Sequence, residues 1–195
     1  MATNEPVPVE FDELLAAEFD YIAQTAIQAN EDRARVSSFY LIAVGSLVAA
    51  LFGTQYADPE HLTSKDVSLM FSGLFVLLTL LGASTVMQLA RLRAAWYESA
   101  LAMNQLKDYM MNENERLAKA FRWKTSTLPS KYKKDSVSYY QAREVAMISG
   151  LMFGAATFFL QRSFFSTNVL HWFVAGLIGI LTIYLQLFLY QRELK

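Results

Sequence analysis

The chain has 195 residues, no cysteine and a formal net charge of −1 at pH 7; 54% of its residues are hydrophobic, 14% aromatic and only 18% charged, with a mean hydropathy of +0.22. Without cysteine there are no disulfides and no thiolate chemistry, and a net charge so close to zero gives no global attraction to nucleic acid or anionic surfaces. Such a composition is too apolar for most soluble domains of this length, and the apolar residues gather into long blocks free of charge.

Residues 1–35 read as an acidic tail followed by an amphipathic helix. The opening MATNEPVPVEFDELLAAEFD is acidic where a cleaved secretory signal needs a basic segment and then an apolar core, so no such signal is expected. Leu15, Phe19, Ile22, Ala26, Ala29 and Val36 follow three–four spacing, while Asp12, Glu13, Glu18 and Asp20 form the solvated face.

Residues 36–90 supply a first transmembrane hairpin. A bilayer core about 30 Å thick needs about 20 apolar helical residues, and residues 36–57 and 67–90 meet that requirement without a charge.

Residues 91–144 form a helical stalk and a basic linker. No glycine or proline lies between Gly82 and Pro129, so the second span is expected to continue as one helix to about Arg122, an extension of about 48 Å. Leu89, Trp96, Met103, Met110 and Leu117 recur every seven positions, with Leu92, Leu106 and Ala120 as companions and Ser99 and Glu113 as interruptions. So narrow a seam, flanked by Arg93, Lys107, Asp108 and Glu115, is suited to meeting another helix. The expected partner is the first helix through Leu15, Ile22, Ala26 and Ala29, with the two alanines making room for Trp96 and Met103. The linker RWKTSTLPSKYKK carries Arg122, Lys124, Lys131, Lys133 and Lys134 beside aromatic residues. Close to a span, such a run reads as topogenic positive-inside charge that also suits anionic lipid headgroups; a protein partner ranks second and nucleic acid is disfavoured.

Residues 145–195 supply a second hairpin with a short C-terminus. Its first span, residues 145–161, is short, so Arg162 is expected to snorkel to the interface; its second covers residues 169–190. The expected fold is therefore all-α: a four-span helical membrane protein with coiled-coil-like helical extensions. Fifteen of the 17 basic residues lie on one side: Arg33 and Arg35, eleven from Arg91 to Arg143, and Arg192 with Lys195. The positive-inside rule places that side, with both termini, in the cytoplasm, and a bacterial plasma membrane is the expected location.

Gly150 and Gly154 form a small-xxx-small pair; Gly45, Ala49 and Gly53 repeat the spacing in the first span, and Ala175 with Gly179 do so in the fourth. Such faces let helices approach closely, within one chain or between copies. Gly82, with Leu78 and Val86 four positions away, reads as lying outside any such face.

Chemistry-bearing patterns are missing. There is no GxSxG, P-loop or HExxH motif. The two histidines, His61 and His171, fall near the loops between paired spans, with Asp58 and Glu60 beside the first. The spans contain no Asp, Glu, Lys or Arg of the kind that proton- or ion-coupled carriers place at mid-membrane depth. No catalytic, metal or cofactor site is expected.

ARVSSFYLIAVGSLVAALFG and AREVAMISGLMFGAATFFLQ both begin Ala-Arg, at Ala34 and Ala142, which suggests two parallel units, each a cytoplasmic helix leading into a hairpin. The first half, YIAQTAIQANEDRAR followed by a two-span hairpin and an amphipathic helix, resembles the SLATT group of small bacterial membrane proteins over residues 21–122. Members of that group are regarded as pore-forming effectors in nucleotide-signalling defence systems. The resemblance is architectural, the second hairpin departs from it, and it carries over no functional residue. The leading expectation is a non-enzymatic membrane protein that self-associates, with a pore along the oligomer axis as one outcome. The alternative is an accessory or scaffold subunit docked through the stalk.

Topology is open to a direct check. With cysteines introduced singly at Ser64 and Ser126, an impermeant thiol reagent added to intact cells should label the first and spare the second. The reverse pattern would invert the orientation.

Overall fold

A computed structural model describes residues 11–54, 64–113, 119 and 121–195. Among them the chain is helical throughout its ordered elements: α1 (Phe11–Thr54), α2 (Ser64–Glu113), a short 3-10 turn (Thr125–Thr127), α3 (Val137–Phe164) and α4 (Val169–Glu193). All four long helices are long and apolar enough to cross a membrane. α1 and α2, at 44 and 50 residues, extend about 66 and 75 Å at 1.5 Å per residue. They share a four-helix bundle with α3 and α4 and then run on together as a two-helix stalk.

The bundle is arranged as a rhombus. α2 packs against each of the other helices and α3 does the same, whereas α1 and α4 do not pack backbone to backbone among the described residues. The short diagonal is therefore the α2–α3 seam. Its core holds Leu78, Val86 and Leu89 from α2 with Ala142, Val145 and Ala146 from α3, joined by Tyr40 of α1 and Tyr190 of α4. α1 and α4, at the far corners, leave most of their apolar length uncovered. Phe39, Ile42, Phe173, Tyr184 and Phe188 are each more than half exposed. A soluble monomer rarely shows such a continuous apolar surface.

α3 and α4 have conventional starts. Ser136 caps α3 by accepting from the Tyr139 amide. Asn168 and His171 form a reciprocal capping box at the head of α4, so His171 is occupied in ending a loop. His61, Asp58 and Glu60 lie outside the described residues.

The stalk differs from the sequence expectation in two respects. α2 is helical to Glu113, and Arg122 lies outside any helix; Leu117 and Ala120 of the expected seam fall outside the described residues. The second difference is the linker, which folds back along α2. Asn104 Nδ2 donates to the Lys124 carbonyl (3.1 Å), Asp108 Oδ2 accepts from the Thr125 amide (3.2 Å), and Arg93 Nε donates to the Lys131 carbonyl (3.2 Å). Three polar side chains on one face of α2 thus hold the backbone of a segment that has no ladder of its own, satisfying groups that would otherwise need water. Arg93, Asp108 and their neighbours, read from the sequence as flanking surface, are the docking strip. Arg93 and Asn104 are 6% and 5% exposed.

The proposed equivalence of Ala34 and Ala142 is not matched by their surroundings. Ala142 is fully buried near the start of α3, while Ala34 is exposed in the middle of α1.

The docked linker generates a test. Asn104→Leu removes a donor from the Lys124 carbonyl, a change worth about 1–2 kcal/mol. Trypsin should then cut after Lys124 or Lys131 several-fold faster than in the wild-type protein, while Gln105→Leu, at an exposed neighbouring position, should leave the rate unchanged.

Candidate functional site

Two polar clusters interrupt the apolar bundle, one inside it and one where it meets the stalk. The inner cluster arises because α2 and α3 approach closely. Every seventh residue of α3 is small along this seam, Ala142, Ser149 and Ala156, and each is at most 2% exposed. Opposite them stand Ser72 and Thr79 of α2. Ser72 Oγ donates to the Ala156 carbonyl (2.9 Å), Ser149 Oγ donates to the Thr79 carbonyl (3.1 Å), and Thr79 Oγ1 lies 3.4 Å from the Ser149 carbonyl. Hydroxyls one heptad apart therefore stitch two helix backbones together.

Ser149 is the junction. Its Oγ also accepts from Gln186 Nε2 of α4 at 2.7 Å, and the Tyr40 hydroxyl of α1 reaches the same spot over Gly82. A Cβ at Gly82 would stand 2.6 Å from Ser149 Oγ and 2.7 Å from the Tyr40 hydroxyl oxygen. Side chains of α1 and α3 thus meet at a glycine that the sequence placed outside any packing face, and α4 joins them through Ser149. The reason is geometric: Gly82 makes room for side chains from two other helices, a role that leaves no i, i+4 pattern in its own. The Tyr40 hydroxyl and Gln186 Oε1 are buried there with no hydrogen-bond partner among the described residues.

The outer cluster collars the base of the stalk. Arg93 of α2 lies over the Trp96 ring, with its guanidinium carbon 4.4 Å from the ring centroid, while its Nε is held by the Lys131 carbonyl. Arg33 of α1 is half-buried; one Nη donates to Asn30 Oδ1, and its Nε is buried without a partner. Burial lowers the pKa of both arginines, and the charge of Arg93 lowers that of Arg33 further. The Tyr190 hydroxyl, hydrogen-bonded to Ser138 at 3.1 Å, is close enough to act electrostatically on both guanidiniums. Tyr139 packs edge-on to Tyr190 and Tyr132, with ring centroids 6.3 and 6.1 Å away. The carboxylates nearby are engaged by other arginines: Glu31 and Asp32 pair with Arg35, and Glu193 with Arg91.

The remaining sequence-selected residues are distributed as follows. Leu89 sits in the bundle core with no exposure, above the stalk proper. Trp96, Met103 and Met110 are half-buried, while Ala26 and Ala29 are the buried residues of the α1 portion of the stalk. Thr25 and Ser99 exchange a 3.0 Å hydrogen bond, and Lys107 lies over the Phe19 ring at 5.4 Å. The pairing of α1 with α2 is therefore intrachain. Leu15 and Met110 line an open cleft of about 710 Å³ with Phe19 and Phe121. Of the linker cations, Arg122, Lys133 and Lys134 are exposed, and Lys124 and Lys131 are partly covered.

The small-residue faces separate into two kinds. A Cβ at Gly150 would stand 2.6 Å from the Gly179 carbonyl, and one at Gly154 would stand 2.9 Å from the Ala175 carbonyl. The third and fourth spans therefore spend these faces on each other. Among the described residues, Gly45 and Gly53 have nothing within 4 Å of a Cβ position, nor do Gly73 of α2 and Gly176 of α4, and Ala49 is exposed between the first two.

Among the described residues, no group of three His, Cys, Asp or Glu is placed to hold a metal ion. Comparison with protein-family models, curated proteins and solved structures finds no match for the chain.

The junction at Gly82 and the open face at Gly73 predict opposite outcomes for one substitution. Gly82→Leu forces side chains into Ser149 and Tyr40 and should destabilise the bundle by about 1–3 kcal/mol, read as a lower thermal midpoint in detergent. Gly73→Leu should leave the midpoint near that of the wild-type protein.

Proposed function

We propose that this chain is a non-enzymatic integral membrane protein that self-associates in the bilayer through the outward face of α1, with its stalk and both termini in the cytoplasm. The observation that carries this reading is the contrast between its two sets of small residues. Gly150 and Gly154 are matched within the chain, whereas Gly45, Ala49 and Gly53 are exposed, and neither glycine meets any described residue. Ser46 lies on the same exposed surface. Lipid gives helices no hydrophobic reason to associate, so close van der Waals contact and weak polar bonds must supply affinity. A smooth, small-residue face on a helix whose other exposed positions carry Phe39 and Ile42 suits a second copy better than it suits acyl chains. The interior of one bundle is filled by Tyr40, Leu78, Val86, Leu89 and Val145, so any conducting path runs between copies. This agrees with the pore-forming role that the SLATT resemblance implies.

A second reading is supported by the cleft at the stalk tip, where Leu15, Phe19, Met110 and Phe121 form an apolar floor rimmed by Asp12, Asp20, Lys107 and Glu113. There the chain would be an accessory subunit whose stalk receives a segment of a larger complex.

Sizing in detergent followed by conductance in liposomes separates the two. A closed homo-oligomer that passes ions favours the first reading; a monomer that co-purifies with other subunits favours the second. Ala49→Leu should cost about 1–3 kcal/mol at each interface between copies and shift the particle toward smaller species without changing its thermal midpoint. Gly154→Leu should do the converse, since its clash lies within the chain. An oligomer indifferent to Ala49→Leu would remove α1 from the interface.

A further inference from the structure

Arg33 and Arg93 present an electrostatic problem that the described residues do not solve. Arg93 is buried and Arg33 is half-buried, the two repel one another, and no carboxylate among the described residues lies within ion-pair distance of either. A buried charge is normally paired, because removing it from water is costly. Here the nearby carboxylates pair with Arg35 and Arg91, which are the more exposed arginines. Arg33 in addition holds a buried Nε with no acceptor. The positions are fixed by neighbours. Arg93 is clamped between the Trp96 ring and the Lys131 carbonyl, and Arg33 is anchored through Asn30.

We propose that Arg33 and Arg93 together bind a phosphate group at the base of the stalk. Two guanidiniums offer planar pairs of N–H donors, the geometry that suits phosphate oxygens better than a point charge does. A doubly charged or diester phosphate would cancel their mutual repulsion and supply the acceptor that Arg33 Nε lacks. Arg33 lies three residues before the first apolar span and Arg93 three residues after the second. In the membrane reading this is headgroup depth, and an anionic phospholipid would deliver its phosphate there laterally. That choice of source rests on the membrane reading; the two-arginine site does not, and a soluble phosphate tests it without lipid. The site also differs in kind from the exposed linker cations Arg122, Lys133 and Lys134, which can attract anionic surfaces only diffusely.

The test uses the full chain purified in a neutral detergent and follows its thermal midpoint. Micelles are supplemented with phosphatidylglycerol, with phosphatidylcholine alone, or with inorganic phosphate against chloride at equal ionic strength. Phosphatidylglycerol should raise the wild-type midpoint. The concentration needed for half the rise should increase on the order of tenfold or more in Arg33→Gln and in Arg93→Gln, each of which removes a charge-assisted hydrogen bond. Arg35→Gln should respond as the wild-type protein does. Before any anion is added, Arg33→Gln should melt no lower than wild type, because it relieves the repulsion; after addition it should fall below. That crossing also guards against an Arg93 variant that simply folds poorly. A rise with inorganic phosphate that equally needs both arginines assigns the site to a soluble anion; a rise confined to phosphatidylglycerol assigns it to a headgroup. Equal rises in all the variants, or no rise in the wild-type protein with either anion, would overturn the proposal.

Discussion

The close approach of α2 and α3 is the constraint on which the rest of the molecule depends. It requires small residues at Ala142, Ser149 and Ala156 and an absent side chain at Gly82, and hydroxyl-to-carbonyl bonds across the seam fix its register. Those bonds take the place of a hydrophobic drive, which weakens wherever the surroundings are as apolar as the core. Once α2 and α3 are set, the other two helices have their positions. Tyr40 brings α1 to Gly82, and Gln186 brings α4 to Ser149. A hydrogen bond in a low-dielectric interior is electrostatically stronger than one in water, and leaving it unmade costs more, so this small polar knot fixes the arrangement more firmly than its size suggests.

The rhombic packing follows from that seam and accounts for the unequal surfaces. α2 and α3 occupy the centre and are covered; α1 and α4 occupy the corners and expose large apolar side chains such as Phe39 and Phe173. The chain answers this asymmetry differently on its two flanks. On the α4 side Ala175 and Gly179 are turned inward, against α3, while Phe173 and Phe188 face out. On the α1 side Gly45, Ala49 and Gly53 are exposed together with Phe39 and Ile42. The two flanks therefore present different chemistry to whatever surrounds them.

Much of this was legible in the sequence, and the omissions share a cause. Long charge-free blocks marked four helices of sufficient length, and three–four spacing paired Ala26 and Ala29 with the stalk of α2. Periodicity in apolar residues reports faces that meet other apolar faces. It is silent on Asn104, Asp108 and Arg93, whose partners are the backbone carbonyls and an amide of an irregular segment nearly twenty or more residues away. It is equally silent on Gly82, which accommodates residues from α1 and α3 rather than a partner on the facing turn. Small-xxx-small spacing located Gly150 and Gly154 but could not say that their neighbours are Ala175 and Gly179 of the same chain. The heptad of α3 was missed because alanine and serine carry little hydrophobic contrast.

The continuity of α2 has a mechanical consequence. Between Gly82 and Glu113 the helix contains neither glycine nor proline, the usual sites of sharp kinks, and α1 runs beside it with no proline from Phe11 to Thr54. The stalk is thus a rigid lever, with about 31 residues, or roughly 46 Å, between Glu113 and the crowded contact at Gly82. A sideways load at Glu113 has no joint at which to be absorbed. It passes first to the bonds that Asp108, Asn104 and Arg93 make to the linker, and then to those that Ser149 makes to Thr79 and Gln186.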